Sequence, residues 1–137
     1  MNSLAHLNWI AVLVASLAGF VLGGLWYGPL FLKPWLRVSG MSFERGRAQN
    51  KLLVFGLAWV SNLVAAAGLG LFMGAHHGAL VGAHLGLLGG FVFAATALAL
   101  VYLFEDRPLQ HWLINAGYLL VNFAAMGAIL GAWPVAG

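Results

Sequence analysis

The sequence predicts an all-α, polytopic membrane protein: a four-helix bundle with short loops and both termini on the outer side. Three observations predict it. Of 137 residues, 63% are hydrophobic and 7% are charged, whereas a soluble domain carries about 25% charged residues. So few charges cannot cover a water-facing surface. Four apolar runs, roughly 7–31, 52–73, 79–104 and 112–133, are each long enough for a bilayer crossing of about 20 residues. All six Lys and Arg residues lie in two of the connecting loops. Mean hydropathy is +0.95. With no cysteine in the chain, disulfides, thiolate metal sites and cysteine nucleophiles are excluded. The whole of 1–137 is expected to form one transmembrane domain.

The first run, 7–31, follows a start without Lys or Arg. A secretory signal needs a basic beginning and a short apolar core, so this segment is expected to be retained. Ala11, Ala15, Gly19 and Gly23 recur every four residues, a spacing that puts them on one helix ridge. Pro29 and Pro34 are expected to end the helix, since proline lacks the amide proton and restricts its predecessor. The stretch 35–38 is expected to lie along the membrane surface. Ser42 is expected to cap the second helix, which then begins about two turns before lipid. Small residues close that helix at Gly70 and Gly74.

The third run has the longest row: Gly78, Gly82, Gly86 and Gly90, continued by Ala94. Glycine weakens a helix in water. In lipid, bare backbone lets a neighbouring helix approach closely, and association there depends on packing. Gly127 and Gly131 form a shorter row on the fourth run. The first and third helices, with the longest rows, are expected to be the central pair. Loop two, 74–78, is short and predicts a tight hairpin between the second and third helices.

Charge sets the expected threading. Loop one holds Lys33, Arg37, Arg45, Arg47 and Lys51, and loop three holds Arg107. Loops one and three share a side in a four-span chain. Positive charge is retained in the cytoplasm, so both basic loops are expected inside. Trp9 and Trp133 then mark the outer boundary. Trp26, Tyr27, Trp35, Trp59, Tyr102 and Trp112 mark the inner one, where amphipathic rings favour the headgroup level. The segments 30–36 and 103–113 share a Leu-Phe, base-Pro, Trp-Leu order. It suggests two hairpins in parallel repeat, or the convergence of any two inner boundaries.

No Asp, Glu, Lys or Arg lies within a span. An ion-coupled pump needs such a group in the membrane, which disfavours small multidrug exporters with their embedded glutamate. What the interior holds is a polar layer. Ser16, Asn62, Thr96 and Asn122 fall near mid-depth, and Asn115, Tyr118 and Asn122 share a face by spacings of three and four. They form either a neutral hydrogen-bonding site or interhelical glue, worth about 0.6 kcal/mol per contact. Glu105 and Arg107, with Asp106, form a charged cluster at the inner mouth, read as a gate or as a solvated turn. Glu105 ends a helix, where a carboxylate opposes the dipole, so a partner is expected in Arg107 or loop one. His76, His77 and His84, with His6, gather on the outer side. Imidazoles suit transition metals, but their spacing matches no compact motif. No catalytic triad spacing, cofactor motif or nucleic-acid-binding pattern is found.

Several segments carry a resemblance: 8–9, Gly23 through Phe31, Phe104 through Leu109, Leu113 through Tyr118, and Met126 through Leu130. The chain resembles small bacterial membrane proteins of domain-of-unknown-function family 1761 over nearly its whole length. The Trp-Tyr-Gly-Pro and Ile-Asn-Ala-Gly-Tyr segments are the most specific. The resemblance implies four spans and a bacterial inner membrane, with no activity, substrate or cofactor. It points to Trp26, Tyr27, Glu105, Arg107, Asn115 and Tyr118.

Two functions are expected. One is a small transport or channel-like unit for a neutral or lipid-like solute, with a cavity reaching Asn62 and Asn122. The other is a non-catalytic subunit docked on another membrane protein or a second copy through its glycine rows, in a dry, closed bundle. Enzymatic activity is not expected.

Overall fold

A computed structural model describes residues 7–42, 44–45, 49–75 and 78–133. Among them the chain is all-helical. Helix α1 spans Trp9–Leu30, α2 Leu32–Ser39, α3 Lys51–Met73, α4 Ala79–Phe104 and α5 Leu109–Ala132. All but α2 are long and apolar enough to cross a membrane. Surface and interior are arranged for oil. Phe104 is 89% exposed and Leu52 86%, while Asn122 is 2% exposed. In water, that exposed apolar area would cost about 25 cal/mol per Å². Against lipid tails it costs nothing, and the polar groups belong inside. By length and composition, four of the chain's helices are those of a multi-pass membrane protein.

The two ends of the bundle are chemically distinct. At one end the Asn8 side-chain amide donates to the Trp133 carbonyl at 3.1 Å, and the Gly78 amide donates to the Gly131 carbonyl at 2.8 Å. At the other end Arg107 donates to the Ser39 carbonyl at 3.3 Å, joining the two basic loops. We call these the terminal end and the basic-loop end.

Helix starts follow side-chain acceptors. Asn8 caps α1 and accepts from the Ala11 amide at 3.1 Å. Asn50 caps α3 and accepts from the Leu53 amide at 3.2 Å. Ser42, the residue expected there, accepts from the Arg45 amide at 3.0 Å and so serves a separate turn upstream. The prolines also act differently from expectation. Pro29 lies inside α1, in a widened π-helical turn over Trp26–Leu30 where the Phe31 amide reaches back to the Trp26 carbonyl at 2.8 Å. The wider turn accommodates the missing proline amide. Pro34 sits in the first turn of α2, where no intrahelical donor is needed. Gly40, at φ +77°, ends α2 in the left-handed conformation that other side chains avoid.

The closest pair is α4 with α5, not the first and third spans. A Cβ built on Gly82 would land on the Gly127 carbonyl oxygen, and one on Gly127 would land on the Gly82 carbonyl oxygen. Gly86 likewise abuts the Phe123 carbonyl, and Gly131 abuts that of Gly78. The two glycine rows consume each other, backbone on backbone. Such contacts permit Cα–H···O interactions. The row on α1 instead faces side chains. Gly19 makes room for Asn122, and Gly23 for the Tyr118 ring.

The row on α4 does not continue at Ala94. Gly90–Ala95 is π-helical, and the next fully buried residue is Ala95. The wide turn adds a residue to the step, from four to five. The Trp112 indole donates to the Ala95 carbonyl at 3.0 Å. Beyond this point Thr96–Phe104 diverges from α5 and contributes no buried residue. The core lies toward the terminal end: Ala11, Val12, Ala15, Ala66, Leu69, Met73, Met126 and Leu130. A simple parallel repeat does not describe this bundle, because α1 packs on α5 far more extensively than α3 packs on α4.

Candidate functional site

The divergence of α4 from α5 opens a cleft of about 380 Å³ at the basic-loop end. Tyr27, Trp35, Leu98, Tyr102, Asn115, Tyr118 and Leu119 line it. Each is placed by a feature already described. The wide turn of α1 carries Tyr27. The start of α2 carries Trp35, whose ring meets Tyr27 edge-on at 5.7 Å. The segment after the π-helical turn carries Leu98 and Tyr102, four residues apart. Spacing of three and four on α5 brings Asn115, Tyr118 and Leu119 to the same wall. Gly117 has no side chain where Trp26 lies against α5, and the Trp26 indole donates to the Ile114 carbonyl at 3.0 Å.

Asn115 is the centre of the polar floor. The Tyr27 hydroxyl donates to its Oδ1 at 2.6 Å, and its Nδ2 donates to the Tyr102 hydroxyl at 2.6 Å. The Tyr102 ring stacks on His111 with centroids 4.6 Å apart. His111 Nε2 is 3.5 Å from the Tyr102 hydroxyl, too long for a strong hydrogen bond. The walls are ring faces and leucines. No Asp, Glu, Lys, Arg or His lines the cleft.

A second chain of hydrogen bonds seals the floor from the rest of the bundle. Asn122 Nδ2 donates to Asn62 Oδ1 at 3.0 Å, and the Tyr118 hydroxyl, beside the Asn62 side chain, donates to the Gly19 carbonyl at 3.1 Å. Asn122 Oδ1 has no hydrogen-bond donor and lies against the Gly19 backbone. The cleft stops at Tyr118 and Leu119, short of the buried Asn62 and Asn122. This cleft therefore does not extend to the two residues it was expected to reach.

The remaining expected site residues fall elsewhere. Thr96 is exposed on the outside of α4 and donates to the Val92 carbonyl of its own helix at 2.6 Å. The wide turn before it sets its direction. Ser16 is buried and donates to the Leu13 carbonyl at 2.7 Å, so it joins no network. Glu105 pairs with Arg107 at 2.9 Å, outside the cleft lining, and Arg107 also holds Ser39. Gly78, Gly82, Gly86 and Gly90 lie along the α4–α5 seam. His84 is exposed and bonds the Leu80 carbonyl at 2.8 Å. His6, His76 and His77 lie outside the described residues. Among the described residues no three metal-ligating side chains converge.

Sequence reasoning found Tyr27, Asn115 and Tyr118 for this site and missed Trp35, Leu98, Tyr102 and Leu119. Leu98 and Tyr102 follow Ala95 at three and seven residues, a helical face. That face is legible only once the five-residue step is known.

A sequence model of one protein family, described as protein of unknown function (DUF1761), matches residues 10–131. No curated protein and no solved structure matches the chain.

Proposed function

Because the chain belongs to the DUF1761 family, whose function is unknown, we propose its function from geometry: a small non-catalytic membrane unit that takes an uncharged or lipid-like amphiphile into its basic-loop-end cleft. One observation carries this reading. The cleft has a hydrogen-bonding floor around Asn115 and aromatic and aliphatic walls, with no ionisable side chain other than the tyrosines. Ligand sites are mostly apolar concavities with a few placed polar groups. Entry is sideways, from lipid, where the second half of α4 stands away from α5. The packed terminal half argues for a loading site rather than an open pore. The same reading puts the basic loops at the cytoplasmic face of a bacterial inner membrane, because translocating lysine and arginine is unfavourable.

The test is photo-crosslinking in nanodiscs with a neutral diacylglycerol bearing a diazirine, mapped by peptide mass spectrometry. Labelling concentrated in 27–38, 98–104 and 115–119, and reduced by unlabelled competitor, is expected. Labelling spread evenly over the exposed face of α3 would mark ordinary surrounding lipid and overturn the reading.

One observation favours a second role, association with another membrane protein or a second copy. Helix α3 buries only Asn62, Ala66, Leu69 and Met73. Its exposed face, not the glycine rows already occupied within the chain, is the surface a partner would use. Cysteines replacing Phe55 or Val64 would then cross-link between chains in native membranes, and their failure to do so would remove this role.

A further inference from the structure

Hydrogen-bond bookkeeping at the cleft floor narrows the ligand. The Asn115 amide has two N–H donors and an oxygen with two acceptor positions. One N–H serves a tyrosine hydroxyl, and the oxygen takes a proton from the other tyrosine. Exchanging the two ends of the amide only swaps the roles of Tyr27 and Tyr102. Either way one amide N–H remains unspent, and so does one phenol O–H apart from the long 3.5 Å approach between Tyr102 and His111 Nε2, beside phenol oxygens that can still accept. All three side chains line the cleft. The floor offers two donors and an acceptor within a few ångströms, flanked by rings.

Resting on the cleft reading above, we infer that the ligand is an alcohol-headed amphiphile, such as a long-chain alcohol or a diglyceride, and that Asn115 determines this specificity. A hydroxyl oxygen receives the two free donors, and its proton goes to a tyrosine oxygen. A hydrocarbon end leaves those donors unpaired, which is costly in a dry site. A carboxylate needs a cation. The guanidinium of Arg107 is already engaged by Glu105 and the Ser39 carbonyl, and no other cation lines the floor. A quaternary ammonium is attracted by aromatic faces. No carboxylate lines the cleft to offset it, and the chain carries six Lys and Arg against three acids, with every base in the loops at this end.

The experiment uses four probes of equal chain length, each with a mid-chain diazirine. The heads are hydroxyl, carboxylate, trimethylammonium and plain methyl. The full-length protein is labelled in nanodiscs as wild type, Asn115→Leu and Tyr102→Phe. Wild type is expected to take the alcohol into the cleft peptides about tenfold more than the methyl probe, as two modest hydrogen bonds imply. Asn115→Leu removes the free amide N–H and the group that orients both tyrosine hydroxyls, so it should lower the alcohol-to-methyl labelling ratio by about threefold or more. Tyr102→Phe keeps the ring and loses one hydroxyl, so it should cost the alcohol alone about threefold. It decides the matter if the leucine variant does not fold. Equal labelling by all heads, or preference for carboxylate or ammonium, overturns this inference and leaves the cleft reading standing. Absence of cleft labelling by every probe takes down the cleft reading itself.

Discussion

Replacing Gly127 by alanine places a methyl group against the backbone of α4. The new Cβ would lie 2.9 Å from the Gly82 carbonyl carbon and 3.2 Å from the Gly86 Cα. Carbon atoms rest at about 3.5–4.0 Å, and the Gly82 carbonyl oxygen lies nearer still, so the seam must part by at least roughly 0.5–1 Å, which forfeits about a quarter to a half or more of each contact's attraction. Neither surface can yield by rotating a side chain, because both are main chain. Overpacking of this kind costs about 1–3 kcal/mol. Alanine returns about 0.5–1 kcal/mol as the better helix former, so with rigid main chain on both sides placing the overpacking at its upper end, about 2–3 kcal/mol, Gly127→Ala should lose about 1–2.5 kcal/mol net. Gly68 on α3 supplies the control. A Cβ there meets nothing within 4 Å, and Gly68→Ala should gain about 0.5–1 kcal/mol. The two variants should therefore move in opposite directions in reversible unfolding from mixed micelles, followed by far-UV circular dichroism. If Gly127→Ala is as stable as Gly68→Ala, the backbone seam between α4 and α5 does not exist as described.

Alanine at Asn62, Asn122 and both should show a coupling energy of about 0.6 kcal/mol and at most ~1.7 kcal/mol in the same assay; zero coupling would mean the two amides do not pair. Trp112→Phe keeps the ring and loses the bond to the Ala95 carbonyl, and about 1 kcal/mol of stability should go with it; an unchanged midpoint would show that the indole does not anchor the wide turn. The cysteine-free sequence allows a clean threading test. Single cysteines replacing Ser42 and Ala75 should react with an impermeant maleimide from opposite sides of sealed vesicles, and labelling of both from one side would remove the four-span arrangement.

The four long apolar helices were legible to within three residues at each end, because hydrocarbon thickness fixes a length and excludes charge. Helix pairing was not. Every long helix carries small residues at four-residue spacing, and row length alone says nothing about which row faces which. The pairing of α4 with α5 comes from matched steps, Gly82 and Gly86 against Gly127 and Gly131. Depth in the membrane could be counted from sequence, which placed Asn62 and Asn122 together correctly. Direction around the helix could not, once a turn departs from regular geometry. That one departure sent Thr96 outward, replaced Ala94 with Ala95, and brought Tyr102 to the cleft. Asn50 stood directly before an apolar run and was a readable cap. The cluster of bases upstream drew attention to Ser42 instead.

The surplus residue within Gly90–Ala95 acts like an added tooth between two gears on one shaft. The gear on the terminal side meshes with α5 through bare glycine. The gear on the other side carries Leu98 and Tyr102 at an azimuth of its own. Removing one residue from that stretch would restore regular winding and keep the distal gear in register, because the five-residue step from Gly90 to Ala95 would become an ordinary step of four. Regular winding imposed with the surplus residue still present would instead turn the distal gear by about 100°. In that second case the glycine mesh would stay in place while the cleft lost a wall, so assembly and recognition are separately adjustable along a single rod.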